Sequence, residues 1–396
     1  MNLIYETGVT FKMPVKRLFR ENPYQTEFSA TVLSCMPQGE HFAVALAATC
    51  FYPEGGGQPA DIGTLGNAQV LDVHEKDEII LHTTNAPLTV GEVVIGKIDW
   101  LRRFSLMQHH TGEHIVSGIV HKLFKLDNVG FHMGSTMVTV DFSGELSPEQ
   151  LATVELAANR VVFANISVQE CYPDENALAA LNYRSKKALS GEVRIITVPD
   201  ADCCACCGTH VAKTGEIGLI KLLSPQRYKG GTRVGLLCGE RALADYRQKD
   251  ASVGAISQLL SAKPAEVSEA VQRILGESDA LRAELIAAKD KLFAVRLESI
   301  DRGEGMLCLF EDNLTPNELR RFCTQLIDHR PGPCLLLCGD DENGYRYALG
   351  VAQGDARTLS KELHQTLGGK GGGSAQLVQG TIAVDRIRIE AYVAVK

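Results

Sequence analysis

Between residues 28 and 98 short apolar runs alternate with polar or glycine-bearing turns: FSATVLSC, HFAVALAATCFY, AQVLDVHE, DEIILHT and VVIGKIDW. Successive side chains of a strand point to opposite faces, so runs of this length predict short β-strands. Residues 20–99 are therefore expected to form a small β domain, a barrel or a sandwich, with the barrel preferred. The period then changes. In RRFSLMQHHTGEHIVSGIVHKLF, Leu106, Ile115, Ile119, Leu123 and Phe124 approximate one apolar face at helical spacing. MVTVDF reads as a strand, and SPEQLATVELAANRVVFA reads as a helix opened by Ser147, Pro148 and Glu149. VRIITVP is a strand leading into a run of cysteines, and TGEIGLIKLLSPQRYKGGTRVGLLCG gives two strands joined by a basic turn. Residues 100–240 thus form an α+β unit. Residues 241–300 carry apolar positions three and four apart with charges between, which predicts a long helix or helical hairpin that links domains or dimerises. MLCLF, CLLLCG and YRYALGVA then alternate with helices, so residues 301–396 read as a separate α/β domain. The fold class expected is α+β and multidomain.

A chain of 396 residues exceeds what one core usually holds, in keeping with that division. The net charge of -8 argues against nonspecific coating of nucleic acid, although it leaves room for a local basic surface that holds one RNA. No secretory leader pattern opens the sequence, and the longest nearly apolar run, Phe42 to Tyr52, is about half of a membrane span. A cytoplasmic protein is expected, with no membrane partner. In that compartment the 12 cysteines stay reduced. Cys35, Cys50, Cys171, Cys238, Cys308, Cys323, Cys334 and Cys338 are scattered and expected to fill core space, whereas Cys203, Cys204, Cys206 and Cys207 cluster and call for another reason.

HHTGEH at 109–114 puts His110 and His114 one helical turn apart, on one face. CCGTH at 206–210 offers Cys206 and His210 from a short turn. Together they make a tetrahedral set of three imidazoles and one thiolate suited to Zn2+. Two other metal readings compete. HTGEH fits the inverted zinc-peptidase pattern, with Glu113 as general base, and CCACC on its own would be a structural thiolate site. A reduced cysteine loop that binds nothing is the plain alternative.

FYPEGGGQPADIG at 51–63, MQHHTGEHIVSG at 107–118, VGFHMG at 129–134 and CCGTHVAKTGEIG at 206–218 occur in the order found in the editing domain of alanyl-tRNA synthetase. They resemble still more the freestanding alanyl-tRNA editing proteins called AlaX, from about residue 20 to 245. The helical stretch and LGGKGGGSAQLVQG are similar to the synthetase's C-terminal domain, which points to the long AlaX form. The resemblance implies zinc held by His110, His114, Cys206 and His210, with Cys207 standing where the synthetase has glycine.

That resemblance implies a trans-editing hydrolase, which cleaves the ester of serine, and of glycine, on alanine-specific tRNA while sparing the alanyl ester. Glu113 is a candidate for positioning water, and His132 in VGFHMG and Gln58 in GGGQ are candidates for contacting the substrate. Thr111, beside His110, joins the substrate-binding candidates. Arg184, Lys186 and Lys187 in NYRSKK, and Arg227, Lys229 and Arg233 in SPQRYKGGTR, are expected to meet tRNA phosphates, as is Lys370 in the glycine run. A homodimer through the helical segment is also expected. A noncatalytic tRNA-binding protein with structural zinc is the main alternative, and a zinc peptidase is the other.

Overall fold

A computed structural model describes residues 15–185 and 192–396 of the chain. Six strands, β1 (Glu27–Gln38), β2 (His41–Leu46), β3 (Gly63–Leu65), β4 (Ala68–Lys76), β5 (Ile79–Thr84) and β6 (Val93–Ile98), close into a barrel in the order β1-β2-β5-β4-β3-β6. All its pairings are antiparallel. Alternation decides which side chains fill it. In β6 Val94 and Ile98 point inward, while Val93 and Ile95 face solvent.

Helix α1 (Trp100–Phe124) follows directly, capped by Asp99, whose carboxylate accepts from the Arg102 backbone N–H. Every residue from 106 to 120 is buried. A helix enclosed all round explains why its apolar stripe is broken by His, Gln and Glu: these polar groups find partners inside the protein instead of facing water. Leu123, expected on the apolar face, is 49% exposed where the helix leaves the core. Strands β7 (Asn128–Met133) and β8 (Val138–Phe142) precede α2 (Pro148–Ala164), whose Ser147 and Gln150 form a capping box.

A small sheet then forms from β9 (Gln169–Cys171), β10 (Ile195–Val198) and β11 (Asp202–Ala205). After it come β12 (Ile220–Leu222), β13 (Gln226–Tyr228) and β14 (Gly231–Cys238), which build a second sheet ordered β12-β14-β8-β7, with β13 also on β14. One core of Met107, Ile115, Val140, Phe142, Val154, Ile220 and Leu236, among others, joins α1, α2 and this sheet. Arg103 of α1 is fully buried and binds Asp61, with further bonds to the carbonyls of Pro23 and Cys50, so it pins the helix to the barrel. The chain divides into two compact units, Met1–Gly254 and Ala255–Lys396, so the barrel and the α+β part share the first.

The division falls within α3 (Gly239–Leu260). The second unit holds α4 (Val267–Glu298) and a five-stranded sheet. The strands are β15 (Leu307–Glu311), β16 (Cys334–Asp340), β17 (Gly344–Gly350), β18 (Lys370–Gly373) and β19 (Leu377–Ile382), in the order β15-β16-β17-β19-β18. Helices α5 (Pro316–His329), α6 (Ala356–Leu367) and α7 (Arg386–Val393) pack with it. Among the cysteines expected in cores, Cys50, Cys238, Cys323, Cys334 and Cys338 are buried, but Cys171 is exposed on β9. Among the described residues, no helix is long and apolar enough to cross a membrane.

Candidate metal centre

His110 and His114 project from the buried middle of α1, and Cys206 and His210 come from the turn after β11. Their four ligand atoms all lie within 4.8 Å of one another. Cys206 Sγ is 3.3 Å from His110 Nε2 and 3.4 Å from His210 Nε2. A tetrahedral zinc with ordinary bond lengths requires donor separations of roughly 3.3–3.7 Å, which both Cys206 contacts meet, and three imidazoles with one thiolate are a donor set that suits the ion. Gly208 makes this closeness feasible, because a Cβ there would lie 2.1 Å from His110 Cε1.

Each imidazole has its second nitrogen occupied. His110 Nδ1 lies 2.8 Å from Gln58 Oε1, and that oxygen also accepts from the Thr209 backbone N–H. Gln58 Nε2 in turn donates to the Thr209 hydroxyl. The glycine loop before Gln58 reaches the site by close backbone approach: Gly57 has φ +84°, and a Cβ there would lie 2.7 Å from the Phe131 ring. His210 Nδ1 is 3.2 Å from the Thr111 hydroxyl. His114 Nδ1 is 2.9 Å from Asp202 Oδ2. Outer partners of this kind fix tautomer and ring orientation, leaving one nitrogen per ring for a metal.

The charges at Cys206 and His210 agree with that use, whereas a charged His114 would have to release its Nε2 proton to bind an ion. Burial opposes ionisation of Cys206, yet the imidazoles of His110, His210 and His114 hold the thiol well below its ordinary value. Burial likewise disfavours a charged His114, but the Cys206 thiolate and Asp202 hold its pKa well above the usual range. Burial pushes His210 down to about 3. A thiolate beside a neutral imidazole is the form in which both bind metal.

The remaining candidates take distinct places. Glu113 is buried and accepts from Ser117 Oγ at 2.6 Å and from Asn128 Nδ2. Thr111 is fully buried, donating to the Met107 carbonyl and accepting from the Val211 N–H. Gln58 is fully buried as well, at the back of a ligand. His132 is exposed on β7, paired with Thr139. Its neighbour Phe131 lies against the His110 ring, so strand alternation turns His132 to the opposite face. Arg184 does not face solvent as a phosphate contact should; both arms of its guanidinium bind Asp202. Lys186 and Lys187 lie outside the described residues. Arg227 and Lys229 are exposed, and Arg233 pairs with Asp141 and stacks on Tyr228. Sequence reasoning missed Asp202, Thr209 and Phe131. Asp202 opens the same DCCACCGTH run, four residues before Cys206, and that adjacency was its one visible signal.

Comparison with known proteins accounts for these parts together. The family "Threonyl and Alanyl tRNA synthetase second additional domain" matches residues 193–235, which include β11, Cys206 and His210. The family "tRNA synthetases class II (A)" matches residues 5–102. The alanyl-tRNA editing protein AlaX-L of Pyrococcus horikoshii is 29% identical over 387 residues, covering 93% of this chain and 95% of that protein. The chain resembles long-form AlaX from end to end. The AlaX-L likeness therefore takes in both compact units, not the metal cluster alone. An alanine–tRNA ligase of Methanoregula boonei is 32% identical over 396 residues, covering 95% of this chain but only 42% of the ligase. The chain thus spans less than half of the synthetase it matches, and its likeness to AlaX-L covers nearly all of both proteins.

Proposed function

We propose that this chain is a zinc-dependent hydrolase that deacylates mischarged alanine-specific tRNA in trans, removing serine, and also glycine, while sparing alanine. The observation that carries the reading is the cluster of three imidazoles and a thiolate, each ring held by its own partner, in a chain similar throughout to an alanyl-tRNA editing protein. His110, His114, Cys206 and His210 would hold the ion, which polarises a carbonyl or lowers the pKa of a water when bound. Gln58 ties His110 to Thr209, so the helix and the turn that supply the ligands move as one body. Thr111 does the same for His210 and the Val211 backbone. Glu113, locked to Ser117 and Asn128, is better suited to stiffening α1 than to moving between substrate and solvent. This weighs against the peptidase reading, which needs that carboxylate free as base.

Selectivity for serine requires a polar group that loses its partner when the acyl chain lacks a hydroxyl, a difference that such sites turn into large rate ratios. A role for His132 in this would require the acyl group to reach the far face of β7. The exposed turn bearing Lys229, beside Tyr228, is the basic surface proposed for tRNA phosphates. The test is release of amino acid from Ser-tRNA(Ala), Gly-tRNA(Ala) and Ala-tRNA(Ala), with and without a chelator. Release of serine that the chelator abolishes, with alanine retained, is expected. Binding of tRNA without turnover by zinc-loaded protein would replace the hydrolase with the noncatalytic reading.

A further inference from the structure

Of the three imidazoles in the cluster, only His114 is backed by a charged group. Gln58 presents a neutral amide oxygen to His110, and Thr111 presents a hydroxyl to His210 at 3.2 Å, an oxygen already shared with the Met107 carbonyl and the Val211 N–H. Asp202 presents a carboxylate oxygen to His114 Nδ1 at 2.9 Å, in a pair with side chains only 3% and 2% exposed. A hydrogen bond to an ionised acceptor is about twice as strong as one between neutral groups, and it makes the imidazole a better donor through its other nitrogen.

The carboxylate itself is held. Arg184 Nε donates to Asp202 Oδ1 at 2.7 Å, and Nη2 donates to Oδ2 at 2.9 Å, the two-point geometry that fixes a carboxylate plane. The backbone aims that side chain: Arg184 N–H donates to the Cys203 carbonyl and the Arg184 carbonyl accepts from the Ala205 N–H, so residue 184 lies as an extra strand along β11. On the other side Gly118, one turn beyond His114, lets β11 approach the helix. A Cβ at Gly118 would fall 2.2 Å from the Ala201 carbonyl oxygen and 2.7 Å from Asp202 Cβ. Backbone, glycine and guanidinium all converge on one carboxylate position.

We infer that Asp202, oriented by Arg184, is a positioning residue that makes His114 the strongest imidazole donor of the metal centre. The inference rests on the metal reading proposed above. With Arg184 satisfying the carboxylate, the proton of the shared bond stays on His114 Nδ1 and Nε2 is left for the ion. The charge of Asp202 is also available to offset a dication that carries only one thiolate.

The test must separate positioning from bulk stability, because removing Asp202 strands the Arg184 cation in a nearly closed site. Zinc affinity is measured in the full-length chain by competition with a chromogenic chelator, for the parent, Asp202→Asn, and Asp202→Asn combined with Arg184→Met. Urea unfolding of the zinc-free proteins is followed in parallel. Asp202→Asn is expected to weaken zinc about ten- to a hundred-fold. The double variant is expected to regain stability, since no cation is stranded, and still to bind zinc as weakly as the single variant. Cobalt-loaded protein gives an independent signature: its visible absorption should shift on Asp202→Asn and stay shifted in the double variant. Parent-like zinc affinity in Asp202→Asn, or recovery of affinity together with stability in the double variant, overturns the inference and leaves the metal centre intact. A parent protein that takes up no zinc overturns the metal reading, and this inference with it.

Discussion

Gly208 shows how much of the site depends on a single missing carbon. The turn carrying Cys206 and His210 passes directly over the His110 ring, and Gly208→Ala would place a methyl 2.1 Å from His110 Cε1 and 2.9 Å from Gln58 Oε1. Neither neighbour can yield, since both are buried and bonded to each other. Gly208→Ala is therefore expected to lose most bound zinc, measured as metal per mole of purified protein, while the barrel stays folded by circular dichroism; full zinc occupancy would contradict the arrangement. The fold brings the donor atoms of the four candidate ligands within 4.8 Å of one another, and as candidates they were legible from spacing and resemblance. The groups behind them were less so. Gln58 and Thr111 were expected to contact the substrate, and both are held inside the protein, against the rings of His110 and His210. Arg184 looked like one of a basic run, but a charged side chain's direction depends on its partner, and Asp202 is eighteen positions away.

At the scale of elements, the barrel strands announced themselves by alternation, whereas α1 did not announce how deeply it is buried. His82 on β5 carries a consequence of that barrel core. It is fully buried, with Nε2 2.8 Å from Thr49 Oγ1 and Nδ1 3.1 Å from the Val44 carbonyl, and burial lowers its pKa to about 4. The unfolded chain binds the proton near pH 6.5, so between these values the unfolded state takes up more protons and stability falls with falling pH. His82 should contribute full stability above about pH 6.5 and lose up to about 3 kcal/mol by about pH 4. Urea midpoints across that range should slope less in His82→Gln than in the parent; equal slopes would refute the assignment. Helix α4 makes a different case. Val271, Ile274, Leu281, Leu285, Leu292 and Val295 recur at spacings of three, four or seven and all are exposed, with Leu281 at 65%. That repeat has the spacing of a coiled-coil seam, and on that ground we propose that the expected homodimer forms through this helix. Leu281→Glu with Leu285→Glu should convert a dimer to a monomer in light scattering, and a parent that is monomeric at high concentration would end the proposal.

Across the whole molecule, the chain divides into two compact units at residue 254, where boundaries at 99, 240 and 300 were expected. The predicted boundary between barrel and α+β part, at residue 99, is bridged by the Arg103–Asp61 pair and by Gln58, both buried. The proposed reaction depends on that joining, because the barrel loop supplies the partner of His110. Local sequence determined the kinds of element and their order and singled out the four candidate ligands, since periodicity and short-range spacing are properties of neighbouring residues. Tertiary structure alone decided which polar groups back those ligands, which face of β7 meets the cluster, and which arginine is spent inside the site. Those choices join residues far apart in the chain, Gln58 with Thr209 and His114 with Asp202, and hydrogen-bond partners at such separations leave no periodic trace in the sequence.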